Sequence, residues 1–155
     1  LFQKAGFNKA GLKKEALDTM ARVIELDPDD ASALNYLGYS LADQGIRLSE
    51  ALSLIQKAYR LKPNDGYITD SLGWVYFKKG EFEKAVTYLE KAANLSNFQT
   101  IIADHLADAY VKVGRFEDAL KTYQKALDNV KEDEDRKLVP AIKKKMDAIQ
   151  KQINE

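Results

Sequence analysis

His105 is the only histidine in the chain, and it stands beside two carboxylates in "ADHLADAY". Asp104, His105 and Asp108 are therefore the first residues to test for metal binding or proton transfer. On a helix, His105 and Asp108 are three apart and share a face, while Asp104 points about 100° away from its neighbour. Zinc needs at least three well-directed protein ligands, so the spacing favours a histidine packed at a helix interface. A Ser-His-Asp arrangement would have to be built on this same histidine, and no serine sits in a G-x-S-x-G elbow.

The remaining chemical motifs fail in similar ways. The chain has no cysteine, which removes thiolate zinc sites, disulfides and cysteine nucleophiles. No glycine-rich phosphate loop is present. "DPDDASALNYLG" begins like a calcium loop, but Ser32 stands where glycine is needed and Gly38 where glutamate is needed. Lys143, Lys144 and Lys145 are consecutive, so on a helix they fan around the axis and read as a solvated face. The expectation is a protein without catalytic residues, metal or cofactor.

Composition narrows the classes further. Of 155 residues 45% are hydrophobic, enough for a real core, and 31% are charged. With 24 basic and 24 acidic residues the formal net charge is zero, which argues against a dedicated nucleic-acid binder or a polybasic membrane protein. No apolar run approaches the roughly 20 residues that span a bilayer. The chain opens Leu1-Phe2-Gln3 without an initiator methionine, as an excised piece would. An upstream signal peptide, lipid anchor or membrane segment would lie outside it.

A period of about 34 residues organises the chain. Gly11, Gly45, Gly80 and Gly114 are separated by 34, 35 and 34 residues, and Ala16, Ala51, Ala85 and Ala119 by 35, 34 and 34. Ala58, Ala92 and Ala126 recur at 34 and 34, with the one extra residue falling in "GIRLSEA". On either side of each glycine the apolar residues recur at three and four, the mark of a helix face. Each glycine is expected to end a first helix in a left-handed conformation. Pro28 and Pro63 should end the second helices, with Asn97 as a weaker stop in the next unit.

This pattern resembles the tetratricopeptide repeat, a 34-residue helix–turn–helix unit. The resemblance covers about residues 1–133: a partial unit (1–30), then 31–65, 66–99 and 100–133. Its signature small residues are Gly38, Gly73 and Ala107 in the first helices, which in this family let paired helices approach closely. Lys4 takes that place in the partial unit, and Leu34, Thr69 and Ala103 replace the aromatic usual in the first helix. The implied fold is all-α, a right-handed superhelical solenoid. Residues 134–155, with Leu138, Ile142, Met146, Ile149 and Ile153 at helical spacing, would form a C-terminal capping helix. Pro140 either starts that helix or kinks it. The wording "ALNYLGYSLAD" and "DGYITDSLGWVY" is similar to bacterial members of the cell-envelope or lipoprotein type. Cytoplasm and periplasm both stay open, with a lean to the envelope.

The family resemblance implies a concave groove lined by the first helices. Aligned on Gly38, Gly73 and Ala107, its positions here are Asn35, Tyr39, Ala42 and Asp43, then Tyr67, Asp70, Trp74, Phe77 and Lys78, then Ile101, Asp104, Asp108, Val111 and Lys112. Aromatic faces beside an acidic stripe suit a peptide or helix of a partner protein with apolar anchors and some positive charge. Packing between units is the other reading of Tyr39, Trp74 and Phe77. The carboxylate-clamp mode of chaperone adaptors is disfavoured, because Asp70, Asp104 and Asp108 stand where it needs neutral or positive donors. The expected function is a non-catalytic protein-interaction module, with self-association through the repeat ends as the alternative. A leucine at Gly73 should overpack the helix pair, whereas alanine should be far cheaper because Ala107 fills the equivalent place.

Overall fold

Glycine and proline cut the chain into helices of nearly equal length. The computed structural model describes residues 9–155, with side chains from Lys13 onward. The elements are α1 (Lys9–Leu26), α2 (Ala31–Asp43), α3 (Leu48–Leu61), α4 (Gly66–Lys78), α5 (Phe82–Leu95), α6 (Thr100–Lys112), α7 (Phe116–Asp128), the single turn α8 (Asp133–Arg136) and α9 (Val139–Asn154). Among the described residues there is no strand. The first helix of the partial unit, with Lys4, lies outside the described residues.

Within each pair the chain reverses at a glycine. Gly45, Gly80 and Gly114 have φ of +70°, +81° and +79°, a region a Cβ penalises. The following N–H groups of Ile46, Glu81 and Arg115 reach back to the carbonyls of Leu41, Tyr76 and Tyr110, closing the helix end as a Schellman turn. The extra residue of the second unit is absorbed here. Its second helix starts three residues after the glycine rather than two, with Arg47 left-handed at φ +49°.

Gly11 departs from the expectation. α1 begins at Lys9 and runs through it, so it is a first-turn residue and not a turn glycine. Between units, α1 and α3 stop just before Pro28 and Pro63. At the weaker stop, Asn97 and Phe98 both turn left-handed, and Asn129 secures the turn by donating to the Phe98 carbonyl at 2.9 Å. First helices start on side-chain caps. Asp30 accepts from the Ala33 N–H, and Asp65 from those of Tyr67 and Ile68, satisfying donors the helix cannot.

The array packs as the pairs α2–α3, α4–α5 and α6–α7, with successive first helices also touching. Gly38 faces Ile55, where a Cβ would lie 2.5 Å from Ile55 Cγ1, and Gly73 faces Leu89, 2.6 Å from its Cγ and 3.2 Å from its backbone N. Small residues are required where the second helix drives a branched side chain inward. α9 closes the last unit against α7, burying Ile142 and Ile149 in the same core. Pro140 lies in its first turn, so it starts the helix and does not kink it.

Leu89 revises the expected tolerance of Gly73. The equivalents of Leu89 are Ile55 and Tyr123, each 34 residues away, so Ala107 belongs with a different partner. Gly73→Ala should destabilise despite alanine's better helix propensity of up to about 1 kcal/mol, because overpacking costs about 1–3 kcal/mol. Gly73→Leu should cost more still. An unchanged thermal melt for Gly73→Ala would contradict the close approach.

Candidate functional site

Most of the acidic stripe of the first helices is consumed inside the fold, with Asp43 staying exposed. Each acid is met by the next helix along the array. Asp43, at the end of α2, accepts a hydrogen bond from Trp74 Nε1 of α4 at 3.3 Å. Asp70 of α4 pairs with His105 Nδ1 of α6 at 2.8 Å, both side chains buried. Asp104 and Asp108 of α6 hold Lys145 Nζ of α9 at 2.9 Å each, and Asp108 also accepts from the Tyr123 hydroxyl. Lys145, expected on a solvated face, is thus an inward anchor, while Lys143 and Lys144 remain exposed. The question of convergence at Asp104, His105 and Asp108 resolves the same way: the histidine turns to Asp70 and the two aspartates to Lys145.

Trp74 is only 8% exposed. Its ring stacks on His105 at 4.0 Å and on Phe77 at 4.6 Å, so it belongs to the floor of the groove. Phe77 is half-buried and meets Phe82 edge-on at 5.3 Å. Lys78 lies over Trp74 at 5.3 Å and Lys112 over Phe82 at 5.6 Å, contacts that hold cations by ring electrostatics. Ala42 is fully buried, and Val111 is half-buried against the core.

The open part of the concave face lies elsewhere, at the starts of α2, α4 and α6. A cavity of about 590 Å³ is lined there by Asn35, Tyr36, Tyr39, Tyr67, Ser71 and Ile101, among others. Tyr67 is 60% exposed and Tyr36 45%. Asn35 Oδ1 is buried and receives no hydrogen bond from the described residues, which is costly unless a ligand or water supplies a donor. Asn35, Tyr39, Tyr67, Asp70 and Ile101 are legible as groove positions from the repeat register. Tyr36 is not, because it sits one residue off that register; its adjacency to Asn35 is the available signal.

Burial first, then the carboxylates of Asp43, Asp70 and Asp104, push the Tyr39 hydroxyl above the ordinary tyrosine range. It stays a neutral donor. For His105, burial alone would lower the pKa, but Asp70, then Asp104 and Asp108, outweigh that and leave it raised. Lys145 is likewise raised, its burial outweighed by Asp108 and Asp104.

Antiparallel helix pairs stacked along one axis, with first helices forming a concave face that carries an aromatic cleft, define a helical-repeat interaction scaffold. The chain belongs to the tetratricopeptide repeat family: residues 9–66 match the tetratricopeptide repeat and residues 65–151 the tetratricopeptide repeat-like domain. The second match runs through α9. Over 63 residues the chain is 49% identical to a TPR repeat-containing protein of Pseudomonas aeruginosa, a stretch making up 41% of this chain and 11% of that protein. The chain therefore spans about a tenth of that curated relative. Among solved structures, a thermophilic TPR protein from Thermus thermophilus is 27% identical, with a TM-score of 0.73 over 93% of this chain and 76% of that one. MamA from Desulfovibrio magneticus RS-1 shares the fold at 20% identity, with a TM-score of 0.67 over 79% of this chain and 69% of its own.

The seam of acid pairs can be tested at two of its links. A raised histidine favours the charged, folded form, so its stabilising contribution is complete below about pH 6.5, the unfolded value. It is lost as pH rises through the folded value. Thermal melts from about pH 6 upward should fall with pH in the wild type and flatten in His105→Gln; equal slopes would remove His105 as the cause. Lys145→Met leaves two largely buried carboxylates without a cation. It should cost about 1–3 kcal/mol, below the full buried-pair value because the lysine is partly exposed. Loss of amide-exchange protection in α9 would report the loosened helix, and unchanged protection would argue against the anchor.

Proposed function

We propose that this chain is a protein-interaction module that takes a segment of a partner protein in the cleft between α2, α4 and α6. The observation that carries this reading is the open cleft itself, where exposed Tyr36 and Tyr67 stand beside the buried Asn35 acceptor, which no described residue meets. Tyrosines bury large areas at little entropic cost and serve as anchors. An acceptor awaiting a donor suits a peptide backbone N–H or an amide side chain. The cleft is lined by five expected groove positions, Asn35, Tyr39, Tyr67, Asp70 and Ile101. Trp74 and Phe77 would act as the floor that keeps those positions in place.

The outer face of α9 is polar, with Lys143, Lys144, Asp147, Gln150 and Lys151 exposed. That face supports a groove adaptor over stacking through the repeat ends, since terminal units of arrays stay soluble by presenting a polar surface. A size measurement over a dilution series separates the two, because stacking would produce oligomers that grow with concentration.

Replacing Tyr36 and Tyr67 together by alanine should weaken partner binding by at least about 2 kcal/mol, the scale of hot-spot residues. Tyr67 is 60% exposed and Tyr36 45%, so the melt should change by about 0.5 kcal/mol for Tyr67 and by up to about 1 kcal/mol for Tyr36. Proteins captured from the source organism by the wild type should be lost by this double variant. Undiminished capture would move the site away from the cleft.

A further inference from the structure

The two ends of the concave face differ in polarity. At the tyrosine cleft every polar lining side chain is a hydroxyl, an amide or a carboxylate, and no lysine, arginine or histidine takes part. The opposite end, where α4 and α6 finish, carries Lys78 and Lys112. Phe77 contacts both Trp74 and Phe82, so the two lysines flank one row of three rings. Among the described residues neither lysine lies within salt-bridge distance of a carboxylate, in contrast to Lys145, which is held by two.

Lys112 also borders a second cavity of about 340 Å³, whose apolar wall includes Phe77, Val111, Ala148 and Ile149. Its other charged groups, Asp108 and Lys145, are already joined to each other. Among the described residues, Lys78 and Lys112 are thus the cations at this end not held in an ion pair, with the exposed Asp43, which accepts only from Trp74 Nε1, beside them. Tyr67 and Lys78 are eleven residues apart on α4, about 16 Å of helix. That distance corresponds to roughly five residues of an extended ligand or eleven of a helical one.

We propose that the groove orients its ligand: a partner segment docks with a basic or amide side chain in the tyrosine cleft and an acidic side chain over the aromatic row between Lys78 and Lys112. This rests on the groove reading above and adds a direction to it. Complementary charges at a rim fix register and discriminate partners more than they raise affinity, so the test reads sequence bias and not binding strength.

A random twelve-residue peptide display library would be selected on the wild-type chain, on Tyr36→Ala/Tyr67→Ala and on Lys78→Glu/Lys112→Glu. The wild type should enrich Lys, Arg, Asn or Gln toward one end of the peptide and Asp or Glu at a constant separation toward the other. The lysine-reversal variant should lose the acidic enrichment while keeping the basic or amide one. Selected peptides that need Tyr36 and Tyr67 but show no charge order, or the same order on the reversal variant, would overturn the orientation and leave the cleft standing. Failure of the wild type to select any peptide that depends on Tyr36 and Tyr67 would overturn both.

Discussion

Acids on one helix answered by donors on the next are the interaction on which this structure depends. In a one-dimensional stack each unit touches only its neighbours, so the register of every helix must be set locally. Apolar packing between small and branched residues brings helices together but tolerates sliding. A buried carboxylate does not, because leaving it unpaired costs far more than a displaced methyl group. Asp70 with His105, and Asp104 and Asp108 with Lys145, carry that constraint from α4 to α9; the exposed Asp43 adds a weaker link from α2 through Trp74 Nε1. The last link binds α9 through the one inward lysine of its consecutive three.

The same seam decides what remains of the concave face for a ligand. Asp70, Asp104 and Asp108, which would otherwise form a negative stripe, are taken up by the next helix, while Asp43 stays exposed. Trp74, stacked on His105 and Phe77, becomes a rigid floor. The surface left over is the tyrosine cleft at one end and the two lysines at the other. Asp104 and Asp108 share one cation, Lys145, so together they offer a partner less free charge than two open carboxylates would. Their environment is also tight. Burial first, and the nearby Asp108, raise the pKa of Asp104, with Lys145 pulling the other way.

Close approach is solved differently along the array. Gly38 and Gly73 admit Ile55 and Leu89 almost onto the helix backbone. The third equivalent position is Ala107, and its counterpart on the second helix is the fully buried Tyr123. A flat ring takes the place of a branched chain, and its hydroxyl reaches Asp108. The change in volume and the link to the terminal acid cluster occur in one residue. This is the unit against which α9 packs.

Much of the architecture was legible in the sequence because it rests on local physics. Left-handed turns need glycine, helices stop before proline, and a 34-residue spacing of small and apolar residues leaves few arrangements but a stack of helix pairs. The first-helix face was readable for the same reason, so Asn35, Tyr39 and Tyr67 could be named before any contact was known. Which charges on that face are free could not be read. Pairing joins residues 31 to 41 positions apart, and sequence separation says nothing of side-chain direction across an interface. Lys143, Lys144 and Lys145 are alike as letters; the rotation of α9 against α6 alone turns the third toward two aspartates. Tyr36 and Gly73 carry the same lesson. Periodicity identifies a face or a tight position, whereas the partner's shape, Leu89 against Gly73 or an open cleft beside Tyr36, exists only once the helices have packed.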